Sequence, residues 1–121
     1  MTVRYSIPCP RSPQWDHASI TWDAPTAVLS LAGEIDLLVR PALDAQIDRI
    51  LGCPPPAISV DLVAVTFLDS AGSTPLRRLC NAAPAHGAEV WLRNASRFVA
   101  QTLRIVGLGA HLRCEEPLPP A

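Results

Sequence analysis

The chain has 121 residues and a formal net charge of −1. That length suits one domain, and an apolar content of 49% is enough for a real core. The charge balance excludes a bulk basic field for nucleic acid, and no apolar run approaches the roughly 20 residues of a membrane helix.

The first residues, MTVRYSIPCPRSPQW, lack the apolar stretch of a secretory signal, so the cytoplasm is the expected compartment. Pro8, Pro10 and Pro13 argue against regular structure in residues 1–14, which are expected to be a flexible Pro-rich segment. Residues 15–114 are expected to form the domain. Residues 115–121, with Pro117, Pro119 and Pro120, read as a flexible tail. The cysteines, Cys9, Cys53, Cys80 and Cys114, are widely spaced with no CxxC pair. Neither a disulfide nor a metal site is expected from them.

Ser19 to Trp22 is a short β-prone run, and Asp23-Ala24-Pro25-Thr26 a turn. Ala27 to Ala32 is a second strand, making a hairpin. Gly33-Glu34-Ile35-Asp36 ends it in a polar loop. Val39, Leu43, Ile47, Ile50 and Leu51 then follow helical spacing. Pro41 is tolerable there only in the first turn, and Gly52 is placed to end the helix. After the stiff connector Pro54-Pro55-Pro56, Ile58, Val60 and Leu62 alternate with Ala57, Ser59 and Asp61 as a third strand. Val63 to Leu68 continues apolar and leads into the corner Asp69-Ser70-Ala71-Gly72.

Beyond that corner, Leu76, Leu79, Cys80 and Ala83 make one helical face, with Arg77 and Arg78 toward solvent. Ala88, Val90 and Leu92 alternate with Glu89, Trp91 and Arg93 as a fourth strand. Asn94 or Ser96 can cap the last helix. Val99, Leu103 and Val106 are its stripe, widened by Phe98 and Ile105, and Gly107 and Gly109 stop it. Strands alternating with helices imply parallel neighbours, and the opening hairpin adds an antiparallel pair. The expected fold is a single α/β domain: a mixed four- to five-stranded sheet with helices packed on one face.

The corner carries the chemistry. A serine at a strand-to-helix junction is exposed among N–H groups that have no intrahelical acceptor. Those donors and the helix dipole favour negative charge. A phosphate on Ser70 would add about −1.5 to −2 charge beside Asp69. The same residue could serve only as a helix cap. His17, His86 and His111 are scattered, and no nucleophile–base pair stands out, so the chain is not expected to be an enzyme.

Three stretches together resemble the STAS domain, and within it the bacterial anti-sigma factor antagonists. Leu31-Ala32-Gly33-Glu34-Ile35-Asp36 is similar to the family's L-x-G-E-[LI]-D signature. Val60-Asp61-Leu62 followed by Phe67-Leu68-Asp69-Ser70-Ala71-Gly72 resembles its DL and F-[IM]-D-S-[STA]-G segment. Asn94 to Gly107 resembles its last helix. The resemblance implies that the unmodified protein binds an anti-sigma factor that is also a kinase, and so releases a sigma factor. That kinase supplies Mg-ATP and phosphorylates the serine after the aspartate, here Ser70, and a PP2C-type phosphatase reverses the step. The protein itself needs no cofactor. It also implies a partner surface at Gly33, Glu34, Asp36, Asp69, Ser70, Ala71 and Gly72. The alternative within the family is a scaffold or transporter-associated module that binds a protein without phosphorylation.

The chain departs from the family after the corner. Gly72-Ser73-Thr74-Pro75-Leu76 stands where G-L-G-x-L is usual. Pro75 conflicts with a helix capped by Ser70, whereas Thr74 as cap with Pro75 in the first helical position is comfortable. That arrangement implies a late helix start and makes Ser73 and Thr74 rival phosphoacceptors.

Overall fold

The computed structural model describes residues 4–8, 18–23 and 26–113, with the backbone alone for 4–8. The expectations for the C-terminal tail, for Cys9, Cys114 and His17, and for Ala24 and Pro25 in the first turn lie outside the described residues.

The strands are β1 (Arg4–Pro8), β2 (Ala18–Asp23), β3 (Val28–Ile35), β4 (Ala57–Leu68), β5 (Glu89–Arg93) and β6 (Leu112–Arg113). The helices are α1 (Arg40–Gly52), α2 (Ser70–Ala82) and α3 (Arg97–Ile105). All six strands form one sheet whose spatial order is the chain order. The pairs β1–β2 and β2–β3 are antiparallel. The pairs β3–β4, β4–β5 and β5–β6 are parallel. This is the mixed α/β sheet that the alternating patterns imply, extended at both edges. At one edge, Arg4–Pro8 is a strand although its prolines argued against regular structure. It is an edge strand with Pro8 in its last position, where a missing N–H breaks no central ladder. At the other edge, β6 is too short for a periodic signal.

Alternation puts Ile20, Trp22, Leu29, Leu31, Ile58, Val60, Val90 and Leu92 into the core. They meet Leu43, Ile47 and Ile50 of α1, Leu76 and Leu79 of α2, and Val99 and Leu103 of α3. Between the inward strand residues, Ser19, Thr21, Ser30, Ser59, Asp61, Glu89 and Trp91 stay partly or fully exposed. The helices therefore cover one side of the sheet. Cys80 is in the core, where burial pushes its thiol pKa up to about 12. Gln46 is also fully buried on α1, and its amide atoms have no partner among the described residues.

Strand β4 breaks the period of two. Its buried positions after Val60 are Leu62, Val65 and Leu68. The pairing with β3 shifts register twice, between Ser30 and Ala32 and between Gly33 and Glu34. Each bulge inserts a residue and reverses which side chains face the core. Asp61 pins the first bulge, because its Oδ1 accepts from the Val63 N–H at 3.0 Å and from Asn94 Nδ2 at 3.1 Å. The two reversals cancel, so Leu68 regains the inward phase of Val60 and Leu62, and Phe67 faces out.

Two other expectations change. Phe98 and Ile105 do not widen the buried stripe of α3; they are 52% and 77% exposed. Each precedes a stripe residue by one position, which is about 100° round the helix. Arg78 is not a free solvent-facing cation. It reaches α1, donating to Asp48 Oδ1 at 2.7 Å and to Asp44 Oδ1 and O at 3.0 Å. Desolvation alone would lower its pKa, but the hydrogen bonds and charges of Asp44 and Asp48 outweigh it and raise the value.

Truncating the buried stripes should be costly. Leu43→Ala and Leu103→Ala are expected to lose about 2–5 kcal/mol in urea unfolding, and Ile105→Ala less than about 0.5 kcal/mol. A loss below about 0.5 kcal/mol for both buried leucines would mean that the helix phases differ from these.

Candidate functional site

The parallel pairing of β3 with β4 aligns Ile35 with Leu68. The segments that leave these strands therefore emerge side by side at the carboxyl edge of the sheet. Asp69, extended at φ −113° and ψ −178°, is the N-cap of α2. Its Oδ1 accepts from the Gly72 N–H at 2.7 Å, and its carbonyl accepts from the Ser73 N–H at 3.0 Å. Ser70 is thus the first helical residue, not the cap, and the helix does not start late at Thr74.

Pro75 lies inside α2 and is buried. It lacks the N–H that would have bonded the carbonyl of Ala71. The hydroxyls of Ser73 and Thr74 both donate to the Ser70 carbonyl, at 2.9 and 3.1 Å. These side-chain bonds reinforce the turn that the proline weakens, which is why the helix can begin four residues before Thr74. They also distinguish the three hydroxyls. Ser73 is buried, Thr74 is half-buried, and both donate to backbone. Ser70 is exposed, and its hydroxyl makes no hydrogen bond among the described residues.

Gly72 is buried against the end of β3. A Cβ there would overlap the Ile35 carbonyl oxygen and lie 2.6 Å from its carbon and 3.0 Å from the Asp36 nitrogen. The Asp69 N–H also points at the Ile35 carbonyl, at 3.4 Å. On the facing loop, Asp36 accepts from the Leu38 N–H through Oδ1 and from the Val39 N–H through its carbonyl, both at 3.1 Å. Gly33 adopts φ +85° beside the second bulge, a conformation glycine takes at low cost. Glu34 is exposed, and Asp36, Asp69 and Ala71 are half-buried. The two loops that the sequence analysis singled out are therefore one structural unit.

Around this unit lies an apolar rim that the sequence analysis missed. Leu37 and Leu38 are 61% and 48% exposed on one side of the corner. On the other, the exposed rings of Phe67 and Phe98 stack with centroids 6.2 Å apart. The available signals were indirect: Leu37-Leu38 follows the polar loop outside any helical phase, and the unbroken apolar run of β4 hides which residues turn outward.

Chemically, the corner offers an exposed hydroxyl at a helix N-terminus whose first N–H groups have no intrahelical acceptor. Negative charge placed there meets favourable dipoles. Among the described residues, no group of three or more histidine, cysteine or acidic side chains is placed to hold a metal. No described helix is long and apolar enough to cross a membrane.

Residues 18–114 match the protein family described as Mlab, STAS domain. The chain belongs to the STAS domain family. The anti-sigma-F factor antagonist RsfB of Mycobacterium tuberculosis is 48% identical over 46 residues, which is 38% of this chain and 38% of that protein. The chain thus aligns with well under half the length of the curated relatives it matches. Two solved structures share the fold. One is an anti-sigma factor antagonist from Mycobacterium paratuberculosis, at TM-score 0.59 and 26% identity over 91% of this chain and 83% of that one. The other is the antagonist SpoIIAA in its unphosphorylated form, at TM-score 0.64 and 23% identity over 71% of this chain and 76% of that one.

In this STAS domain the corner should be intolerant of small changes. Gly72→Ala must move α2 or the end of β3, and is expected to cost about 1–3 kcal/mol as an overpacking change. Asp69→Ala removes the cap and should cost about 1 kcal/mol. Urea unfolding of both variants against wild type checks this, with Ser70→Ala as a control expected within about 0.5 kcal/mol of wild type.

Proposed function

We propose that this STAS domain is a non-enzymatic switch: an anti-sigma factor antagonist controlled by reversible phosphorylation of Ser70. In this reading it acts in the cytoplasm. The unmodified protein binds a kinase-type anti-sigma factor and frees the sigma factor. The kinase supplies Mg-ATP and transfers phosphate to Ser70, and a PP2C-type phosphatase removes it. The observation that carries the reading is the difference between the three hydroxyls in the first turn of α2: Ser70 exposed and unengaged, Ser73 and Thr74 donating to backbone. The partial identity with RsfB supports the partner class.

The physics of the switch is local. A phosphate at the start of α2 sits in a favourable dipole field, so the fold need not change. A docked partner must bury that charge next to Asp69, and burying an unpaired phosphate costs several kcal/mol. The proposed partner surface is Gly33, Glu34, Asp36, Asp69, Ser70, Ala71 and Gly72. The apolar rim of Leu37, Leu38, Phe67 and Phe98 gives that surface the desolvated contact that polar loops lack.

Incubation with the cognate anti-sigma factor kinase and Mg-ATP should add one phosphate, mapped by mass spectrometry to Ser70. Ser70→Ala should bind the kinase constitutively and stay unmodified. Ser70→Asp and Ser70→Glu should bind at least tenfold more weakly, about 1.4 kcal/mol, with little change in Tm. Equal affinities for all four proteins in titration calorimetry would sink the switch, and a phosphate on Ser73 or Thr74 would sink the residue assignment.

A further inference from the structure

Helix α2 carries a polar stripe that begins at the candidate phosphoacceptor. Ser70, Thr74, Arg77 and Asn81 follow one another at spacings of four, three and four residues, which places them along one side of the helix. Arg77 and Asn81 are exposed and Thr74 is half-buried. Ser70 and Arg77 are two turns apart, about 10 Å along the axis. Beside the far end of the stripe lies a wide depression of about 460 Å³, lined by Thr74, Arg77, Arg78, Asn81 and Ala82.

The two arginines of this depression differ in role. Arg78 is held in its wall by Asp44 and Asp48 of α1. Arg77 makes no hydrogen bond or ion pair among the described residues, and α2 contains no acidic residue that could offer one. Its guanidinium presents N–H donors in a planar fork that fits a carboxylate. The side-chain amide of Asn81, one turn on, adds further donors.

We propose that this depression is the docking site for an acidic side chain of the kinase-type anti-sigma factor, with the carboxylate held by Arg77 and flanked by the Asn81 amide. The inference deepens the antagonist reading and rests on it. Charge selects the occupant. A second copy of this chain docking through the same stripe about a two-fold axis sets Arg77 against its own equivalent, and like charges across an interface are unfavourable. The net charge of −1 offers no wider basic field for a polyanion such as nucleic acid. A carboxylate on the partner is complementary. Arg77 and Ser70 also share one helix, pinned to α1 by Arg78. A kinase that grips Arg77 therefore meets the Ser70 hydroxyl at a set distance and direction. Arg77 is a positioning residue: it raises affinity for the chain and takes no part in phosphoryl transfer.

The test measures phosphorylation kinetics and binding for wild type, Arg77→Ala, Arg77→Glu and Arg77→Lys with the cognate anti-sigma factor kinase. Arg104→Ala, which removes an exposed arginine from α3, controls for net charge. Docking predicts a KM for the chain raised about tenfold by Arg77→Ala and further by Arg77→Glu, with kcat within about twofold of wild type. Arg77→Lys should recover part of the loss, since it keeps the charge and loses the fork. Calorimetry without Mg-ATP should give the same order of affinities, and Tm should move by less than about 3 °C. Unchanged KM and affinity for Arg77→Ala and Arg77→Glu would overturn the docking, and so would an equal loss in Arg104→Ala; phosphorylation of wild type at Ser70 then leaves the switch standing. If the kinase binds the variants in the predicted order but leaves Ser70 unmodified, the switch fails and the docking stands. A wild type that the kinase neither binds nor modifies overturns both.

Discussion

The contact between Gly72 and the Ile35 carbonyl is the constraint on which the rest of the site depends. Only a residue without a Cβ lets the first turn of α2 lie against the end of β3. That approach holds the Asp69 cap, the Ser70 hydroxyl and the Gly33–Asp36 loop in one rigid unit. Farther along, Arg78 ties α2 to α1 through Asp44 and Asp48. α2 is thus held at both points, and the charge switch proposed at its N-terminus would act through what it repels or admits rather than through a change of shape.

Much of this architecture was legible because the buried faces obey simple periods. Val28 to Leu31 alternates, and Leu43, Ile47 and Ile50 step round a helix, so the strands and helices were placed before their contacts were known. The failures share one origin: compensation by a neighbour that a periodic pattern does not contain. Pro75 argued for a late helix start because capping rules ignore what Ser73 and Thr74 hydroxyls can do for the turn above. The prolines around Arg4–Pro8 argued against a strand that only its pairing with β2 reveals. Phe98 and Ile105 looked like core because their neighbours are core. Arg78 looked solvated because its carboxylate partners are 30 and 34 positions away.

Asp61 illustrates how a motif residue can work at a distance from the site. Its carboxylate holds the first bulge of β4 and clasps Asn94, the residue after β5, which adopts φ +61°. Bulges change which side chains face out. Asp61 holds the first of two insertions, and because the second reverses the first, Val65 alone is out of phase: Leu68 regains the inward phase of Val60 and Leu62, and Phe67 the outward one. The Asp–Leu pair thus shapes the irregular stretch of β4 that leads into the Asp–Ser–Ala–Gly corner.

The strand order carries a consequence for how the chain reaches this state. Because the six strands lie in the sheet in the order in which they occur in the sequence, no strand waits for a later one to be inserted beside it. Each new strand emerging from a ribosome finds its only earlier neighbour already made. Loop closure is then limited to one helical crossover at a time, which keeps the entropic barrier of parallel pairing low. Each strand can pair with the one made just before it, so assembly during synthesis requires no insertion between strands already paired.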